Sequence, residues 1–273
     1  MRQVLSALVV SSLALAVPAA EPARRVWSVD GVSREALVYA PAATNGAAAP
    51  VVFVFHGHGG NMRHMARAFP LHALWPEALV VYMQGLPTPG RLTDPEGKKS
   101  GWQTVPGGQG DRDLRFVDVV MDDLRSGAAI DGKQVFAAGH SNGGAFVYLL
   151  WALRPQVFCA FAPCAAATSQ NARLTPKPVL HVAGQKDALV KFAWQQRMID
   201  EVRSINRCGG EGQPWGTNAT LYASAARAPV VALIHPGGHE LPPEAAPAVA
   251  RFFRERGGQP AGVPEPGLRR VMP

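Results

Sequence analysis

Continuous apolar runs that alternate with helix-like segments constrain the fold of this 273-residue chain more than any other feature. One run, Pro50-Val51-Val52-Phe53-Val54-Phe55, has no charged or hydrogen-bonding side chain, which is typical of a strand buried on both faces of a parallel sheet. Similar runs recur at residues 78–83, 134–138, 160–165, 179–183 and 230–234. Helix-like segments lie between most of them, at residues 62–68, 114–124, 144–153 and 191–202, with a last one at 245–256. The alternation predicts an α/β fold, with a mostly parallel central sheet and helices on both faces.

A hairpin and two long connections complete the predicted topology. The pair Asp30-Gly31 separates two strand-like segments, 27–29 and 36–39, and predicts a hairpin turn between them. The connections 84–112 and 207–217 have the length of functional loops, whereas 166–178 is too short to contain a large lid domain.

The two ends of the chain differ in composition from its middle. Arg2, the apolar stretch 4–17 and the small residues up to Ala20 predict a secretory signal peptide over residues 1–20. That stretch is shorter than the roughly twenty residues that span a bilayer, so an uncleaved membrane anchor is the alternative. Residues 21–256 are then predicted to form one domain, and residues 257–273, rich in Pro and Gly, a flexible tail. We therefore expect a secreted or periplasmic protein with no stable membrane anchor.

Composition and cysteine content limit the other classes of protein. Hydrophobic residues make up 47% and charged residues 17%, which excludes a disordered chain. The formal charge is +7, but Lys and Arg are scattered, so no nucleic-acid partner is predicted. Cys159 and Cys164 bracket a predicted strand and lie too far apart to pair. Cys208 could pair with either of them, so at least one thiol is free and the disulfide remains open.

A serine between a predicted strand and a predicted helix is the first candidate functional residue. Ser141 lies in Gly139-His140-Ser141-Asn142-Gly143, directly after the run 134–138 and before the segment 144–153. In such a G-x-S-x-G turn the serine hydroxyl is exposed at the top of the sheet, and the glycines prevent side-chain clashes. Because the pattern also arises by chance, the nucleophile prediction depends on this context and on partners downstream.

A nucleophilic serine needs a base to accept its proton and a carboxylate to orient that base. Asp187 follows the predicted strand 179–183 in the loop where an acid is expected, whereas Asp200 falls within a helix. A solvated loop aspartate or helix N-cap is the alternative for Asp187. His235 belongs to the end of the last predicted strand, but His239 follows two glycines in a loop that can reach over the sheet edge. We therefore predict a catalytic triad of Ser141, Asp187 and His239.

Two backbone N–H groups are predicted to stabilise a developing oxyanion. One belongs to Asn142, and the other to His58 in the glycine-rich loop 56–60. Gly57 and Gly59 would let the main chain of this loop approach the substrate, so both are predicted to contact it. An ordinary glycine-rich turn is the alternative.

The same loop suggests a metal site as an alternative, with His56, His58 and His239 as ligands. No acidic residue follows within the loop, and no Cys or further His lies at ligand spacing. A dinucleotide site lacks the third glycine and the distal acid that it needs. We therefore predict neither a metal nor an organic cofactor.

Taken together, these residues resemble the secreted α/β-hydrolase esterases of the polyhydroxybutyrate depolymerase and feruloyl esterase kind. The resemblance runs from about Leu37 to Phe253. Its motifs are His56-Gly57-x-Gly59-Gly60, Gly101-Trp102, Asp113-Leu114-Arg115-Phe116, Gly139-His140-Ser141-Asn142-Gly143-Gly144, Asp187 and Gly237-Gly238-His239. It implies an α/β-hydrolase fold and a secreted serine esterase that acts on polyhydroxyalkanoate-type polyester, feruloyl or acetyl esters through the predicted triad. It also implies that Trp102 lines the cleft, with core packing as the alternative, and that Asp113 supports the fold as a helix N-cap.

Three departures from the family pattern surround the cleft. Trp102 is followed by Gln103-Thr104-Val105 instead of Asn-Ala-Gly with later cysteines, and His239 is followed by Glu240-Leu241-Pro242 instead of Trp-Pro. Cys208 resembles a cysteine that relatives pair, yet residues 216–219 contain no partner. The ester, its acyl length and the oligomeric state therefore stay open. A peptidase or acyltransferase with the same triad, and a non-catalytic envelope binding protein, are the alternative functions.

Overall fold

The structure is a computed structural model that describes residues 21–42, 46–90 and 92–257. Its strands are β1 (Ala23–Val29), β2 (Val32–Tyr39), β3 (Ala49–Phe55), β4 (Leu79–Met83), β5 (Leu86–Pro87), β6 (Ser100–Gly101), β7 (Ile130–His140), β8 (Ala160–Cys164), β9 (Val179–Gly184), β10 (Gln213–Gly216), β11 (Ala219–Tyr222) and β12 (Val230–His235). Its helices are α1 (Met62–Ala68), α2 (Leu71–Leu74), α3 (Arg112–Gly127), α4 (Asn142–Leu153), α5 (Phe192–Ile205) and α6 (Ala245–Gly257).

Ten strands form one sheet in the order β1-β2-β4-β3-β7-β8-β9-β12-β11-β10. The six central strands, from β4 to β12 in this order, pair in parallel. Two strands at each edge pair antiparallel, and β1 and β2 form the predicted hairpin. The prediction of a mostly parallel α/β sheet is therefore confirmed.

Helices cover both faces of the sheet because its central strands direct apolar side chains to both faces. Phe53 and Phe55 of β3 belong to the core beneath α3, α4 and α5. Val52 and Val54 of the same strand belong to the opposite core, beneath α1, α2 and α6. This two-sided burial accounts for the uninterrupted apolar runs in the sequence.

The predicted connection 207–217 and the start of the predicted tail differ from the structure. The connection 207–217 is not a plain loop, because β10 within it pairs with β11 and extends the sheet. Gly257 ends α6 and does not begin the tail. The predicted signal peptide at residues 1–20 and the tail from residue 258 lie outside the described residues. Within the part of the chain that the structure describes, no helix is long and apolar enough to span a membrane.

The predicted triad and the glycine-rich loop lie beyond the carboxyl ends of parallel strands. Loop 56–60 follows β3, Ser141 follows β7, Asp187 lies just beyond β9 and His239 lies just beyond β12. Parallel strands end at the same edge of a sheet, which is where open α/β folds bind ligands. The fold thus gathers these residues at one edge.

Candidate active site

Ser141 has the strained backbone of a nucleophile elbow. Its φ is 56° and its ψ is −119°, a region that non-glycine residues rarely occupy. The turn needs the flanking glycines, because a Cβ at Gly139 would lie 2.5 Å from Gly143 O and one at Gly143 would overlap the Phe55 carbonyl. The Ser141 N–H donates to Cys164 O at 2.8 Å, which ties the elbow to the end of β8.

The three residues of the predicted triad are hydrogen-bonded in series. His239 Nε2 lies 2.7 Å from Ser141 Oγ, and His239 Nδ1 lies 2.7 Å from Asp187 Oδ2. The Asp187 side chain is fully buried, whereas the His239 side chain is 21% exposed. In this arrangement an imidazole can take a proton from the serine while a buried carboxylate orients it.

Asp187 is surrounded by hydrogen-bond donors. Its Oδ1 accepts from the backbone N–H groups of Leu189 and Val190, both at 2.9 Å. Its Oδ2 accepts from the Gln195 amide at 2.9 Å as well as from His239. Four donors compensate a buried carboxylate for its lost hydration. Asp200, the weaker candidate acid, is exposed on α5 beside Arg203.

Glycine-rich loop 56–60 packs directly against the elbow. A Cβ at Gly57 would lie 3.4 Å from the Cβ of Ser141, so the loop runs past the serine. Among the described residues, no acceptor is found for the N–H of His58 or for that of Asn142. An oxyanion hole requires N–H groups of this kind, close to the nucleophile and without an acceptor in the protein.

The imidazole of His58 packs against connection 84–112. Its Nε2 lies 3.1 Å from Asp94 Oδ2, and both side chains are 9% exposed. The ring is enclosed by main chain, because a Cβ at Gly90 would lie 2.8 Å from it and one at Gly101 would lie 2.6 Å from its Nδ1. Gly59 N–H also donates to Ser100 O at 2.7 Å. Connection 84–112 therefore fixes the position of loop 56–60.

Trp102 is buried, so the prediction that it lines the cleft is wrong. Only 1% of the residue is exposed. Its indole N–H donates to His56 O at 2.9 Å, and its ring stacks on Phe146 at 5.4 Å. Trp102 therefore packs in the core, as in the alternative interpretation, and its indole supports loop 56–60 through His56 O.

Asp113 supports the fold, but not as a helix N-cap. The N-cap of α3 is Asp111, and Asp113 lies within the first turn. Its carboxylate is fully buried, accepts from Arg34 at 2.8 Å, and accepts from the Gln103 N–H at 2.9 Å. Burial lowers the pKa of the Arg34 guanidinium, and the Asp113 charge acts against this shift.

The histidines of the metal alternative have other partners. His56 Nδ1 lies 2.7 Å from Gly57 O, and its Nε2 accepts from the Gly85 N–H at 3.0 Å. Burial lowers the pKa of His56 to about 4. Within the described ranges, no group of three or more His, Cys, Asp or Glu side chains is arranged to hold a metal ion.

Two more side chains shape the loop that contains His239. His140 Nε2 lies 2.7 Å from His239 O, and burial, followed by the charge of His239, lowers the pKa of His140 to about 4. The Glu240 carboxylate accepts from the Gly238 N–H at 2.9 Å. His235 is buried, and its Nδ1 accepts from the Gly237 N–H at 3.2 Å, as expected of a structural histidine.

The three cysteines are unpaired. Cys164 is buried, and Cys159 and Cys208 are half-buried. Burial raises the pKa of the Cys159 thiol to about 12 and raises that of Cys208 as well. The Cys208 Sγ contacts Tyr222 O at 3.6 Å. The disulfide that the sequence left open is therefore not formed in this structure.

The sequence relatives of this chain match it over part of its length and part of their own. No known family profile matches the chain. A bifunctional acetylxylan esterase/xylanase of Neocallimastix patriciarum is 28% identical over 123 residues, or 42% of this chain and 18% of that protein. NocK of Nocardia uniformis subsp. tsuyamanensis is 32% identical over 152 residues, or 52% of this chain and 41% of that protein. Feruloyl esterase C of Emericella nidulans is 24% identical over 200 residues, or 71% of each. The chain thus spans less than half the length of the first two relatives.

Solved structures with the same fold cover more of the chain. The acetyl xylan esterase from Aspergillus awamori superimposes with a TM-score of 0.63 at 12% identity, over 85% of this chain and 99% of that one. Together with the parallel sheet, this gives the chain the α/β-hydrolase fold. The three sequence relatives carry the word esterase in their names.

Proposed function

We propose that this protein is a serine hydrolase of carboxylic esters, with Ser141, His239 and Asp187 as its triad. The observation that carries the proposal is the pair of 2.7 Å contacts that joins Ser141 Oγ, His239 and the Asp187 carboxylate. The esterase names of the relatives agree with it.

Acylation begins when Ser141 Oγ attacks the ester carbonyl carbon and His239 Nε2 takes the hydroxyl proton. The carbonyl oxygen becomes an oxyanion, which accepts hydrogen bonds from the N–H groups of Asn142 and His58. Each such donor is worth on the order of a hundredfold in rate in hydrolases of this type. The tetrahedral intermediate collapses, and the alcohol leaves with the proton from His239.

Deacylation repeats these steps with water. His239 takes a proton from a water molecule, which attacks the acyl-enzyme carbonyl, and Ser141 Oγ leaves with that proton. Asp187 stabilises the imidazolium that forms in each half-reaction and remains ionised. The chain's own groups carry out each proton transfer.

We infer that the substrates are feruloyl or acetyl esters, because the relatives' names contain those two acyl groups. A polyester of the hydroxybutyrate type is the third candidate, from the resemblance of the sequence motifs. A panel of methyl ferulate, acetylated xylan and hydroxybutyrate oligomers tests this choice. The proposed acyl groups fail if only the hydroxybutyrate oligomers are hydrolysed.

The proposed triad is tested with a fluorophosphonate probe and p-nitrophenyl acetate. We expect the wild-type protein to be labelled and to hydrolyse the ester, and Ser141→Ala to lose both properties. Ser126→Ala is the matched control, because Ser126 is exposed on α3 and donates only to Asp122 O. Labelling or turnover that persists in Ser141→Ala would contradict the proposal. Activity that a chelator abolishes and the probe does not affect would favour a metal site instead.

We also propose that the chain is exported, from the composition of residues 1–20. Expression of the full chain followed by N-terminal sequencing tests this. The expected product starts close to Glu21 in the periplasm or medium. A product that retains residues 1–20 in the membrane fraction would favour the uncleaved anchor.

A further inference from the structure

A buried amide donates to the same Asp187 carboxylate oxygen that His239 contacts. Gln195 is fully buried on α5. Its Nε2 donates to Asp187 Oδ2 at 2.9 Å and to Val190 O at 2.6 Å. The same Gln195 nitrogen therefore holds both the carboxylate and the loop in which that carboxylate lies. No such residue was predicted from the sequence motifs.

A second pair of buried polar side chains lies behind Gln195. Tyr148 of α4 and His181 of β9 are each fully buried, and the Tyr148 hydroxyl lies 2.7 Å from His181 Nδ1. The Tyr148 hydroxyl has no other partner among the described side chains, so it donates and His181 Nδ1 accepts. Nδ1 therefore carries no proton in the neutral ring, and the proton is on Nε2. Burial lowers the pKa of His181 to about 4, which keeps the ring neutral near pH 7.

Two buried polar atoms behind Asp187 remain without a hydrogen-bond partner among the residues that the structure describes. His181 Nε2, a donor, and Gln195 Oε1, an acceptor, each lack a partner at ordinary hydrogen-bond length. Burial lowers the pKa of His181, and the neighbouring Gln195 side chain acts against this shift, as an acceptor close to the ring does. Unpaired buried polar groups are costly, which favours a hydrogen bond between this donor and this acceptor.

We propose that Gln195 is a positioning residue for Asp187, supported by a buried chain in which Tyr148 donates to His181, His181 to Gln195 and Gln195 to the carboxylate. This inference rests on the proposed function, since it names the groups that hold the acid of that triad. Ser141 and His239 form a second arm that ends on the same oxygen of Asp187, so the donors of both arms point toward this carboxylate. Hydrogen bonds in such a chain polarise one another and are stronger in a low-dielectric interior.

The position of Asp187 explains why this hydrogen-bond chain is needed. This carboxylate is fully buried, but of its loop neighbours Leu189 is exposed and Val190 is half-buried. Tyr148 and His181, the members of the hydrogen-bond chain farthest from Asp187, lie in the core on α4 and β9. Anchoring the acid to the core fixes the carboxylate against the imidazole, and a misplacement of about 1 Å in such a site costs up to a hundredfold in rate.

The test replaces the Gln195 amide with an apolar group of similar length. In Gln195→Met we expect kcat for p-nitrophenyl acetate to fall about tenfold with KM unchanged. Gln196→Met is the matched control, because Gln196 makes the same kind of side-chain bond to Asp200 on the exposed side of α5. Equal kcat values for Gln195→Met and wild type would overturn the proposal.

A spectroscopic readout separates positioning from general damage. The proton on His239 Nδ1, shared with Asp187, gives a low-field proton resonance, which we expect to move in Gln195→Met and to stay in Gln196→Met. An unmoved resonance in Gln195→Met would overturn the proposal. This readout needs no substrate, so it remains informative if Ser141→Ala shows that the proposed esterase activity is wrong.

Two further variants cover the case in which Gln195→Met does not fold. Gln195→Glu keeps the shape, and its carboxyl can donate to Asp187 only while protonated. We expect its kcat, relative to wild type at the same pH, to fall as pH rises from 6 to 9, and a constant ratio would count against the proposal. In Tyr148→Phe, which removes the most distant donor, we expect about a threefold loss of kcat and a smaller shift of the resonance, and no shift would exclude Tyr148 from the chain.

Discussion

The Asn142 side chain pairs with both backbone groups of Trp102. Its Nδ2 donates to Trp102 O at 2.9 Å, and its Oδ1 accepts from the Trp102 N–H at 2.7 Å. The pairing imitates one rung of a β-ladder and joins the N-terminus of α4 to connection 84–112. The N–H of the same Asn142 is the proposed oxyanion donor. One residue therefore combines a proposed catalytic backbone group with a structural side chain.

We expect Asn142→Ala to lower the free energy of unfolding by about 2 kcal/mol, since two backbone groups of Trp102 lose their partners. Urea denaturation followed by tryptophan fluorescence measures this loss. We also expect kcat to fall, because connection 84–112, which holds the oxyanion loop, loses its side-chain contacts with the start of α4. Asn171→Ala, which removes one side-chain bond to Glu201, is the control and should cost less than about 1 kcal/mol. Equal losses in the two variants would contradict the role of the pairing.

A second prediction concerns the contact between His58 and Asp94. In Asp94→Ala the His58 ring loses its partner at 3.1 Å, and the Lys99 N–H loses an acceptor at 2.8 Å. Because the N–H of His58 is the proposed second oxyanion donor, we expect kcat to fall about tenfold with little change in KM, less than the loss of a whole donor. Steady-state kinetics with p-nitrophenyl acetate measures both constants.

Glu96→Ala is the control for this prediction, since Glu96 lies in the same connection but is exposed and pairs only with Lys98. Its kinetics should match wild type. If Asp94→Ala raises KM and leaves kcat intact, Asp94 contacts substrate and does not set the oxyanion hole.

The sequence predicts the parts of the site that depend on local chain geometry. The turn at Ser141 needs glycines within two residues, and Asp187 and His239 must follow the ends of parallel strands. Each requirement is readable as a motif or an element boundary. These residues are therefore found without coordinates, and the structure brings them into contact.

Residues that depend on long-range packing are not readable in this way. Trp102 looks like a cleft residue by its motif, but its burial follows from the position of Phe146 on another element. Gln195 is a polar residue on the face of α5 that also carries Met198 and Val202, which is the one sequence feature that could have revealed it. The hydrogen bond from Gln195 to Asp187, however, depends on the tertiary fold, which brings α5 against the loop after β9.

The buried pair of Arg34 and Asp113 gives a third prediction. Both side chains are at most 1% exposed and lie 2.8 Å apart, and Asp113 also accepts from the Gln103 N–H. We expect Asp113→Ala to cost about 3–5 kcal/mol, because it leaves a buried guanidinium without its partner. Thermal and urea denaturation measure the loss.

The double variant Arg34→Met with Asp113→Leu separates the pair's contribution from the cost of an unpaired charge. It should be more stable than Asp113→Ala alone, since an apolar pair of similar volume leaves no buried charge. A double variant that is less stable than Asp113→Ala would show that the charges contribute net stability.

The last prediction is the loss of stability in acid. Burial lowers the pKa values of His56, His140 and His181 to about 4, from an ordinary 6.5. Between these two values the unfolded chain binds protons that the folded chain does not, so the free energy of unfolding falls as pH falls from 6.5 toward 4. Each histidine contributes a slope of up to about 1.4 kcal/mol per pH unit, and the three together up to about 4 kcal/mol per pH unit.

Urea denaturation at intervals from pH 7 to pH 5 measures this slope above the range where most carboxylates titrate. We expect His181→Gln to flatten it by up to about 1.4 kcal/mol per pH unit, whatever the variant's stability at pH 7. His64→Gln is the matched control, because His64 is exposed at the start of α1 and should leave the slope unchanged. The same slope in His181→Gln as in wild type would mean that His181 is protonated equally in the folded and unfolded chains. That result would also remove the neutral ring on which the hydrogen-bond chain behind Asp187 depends.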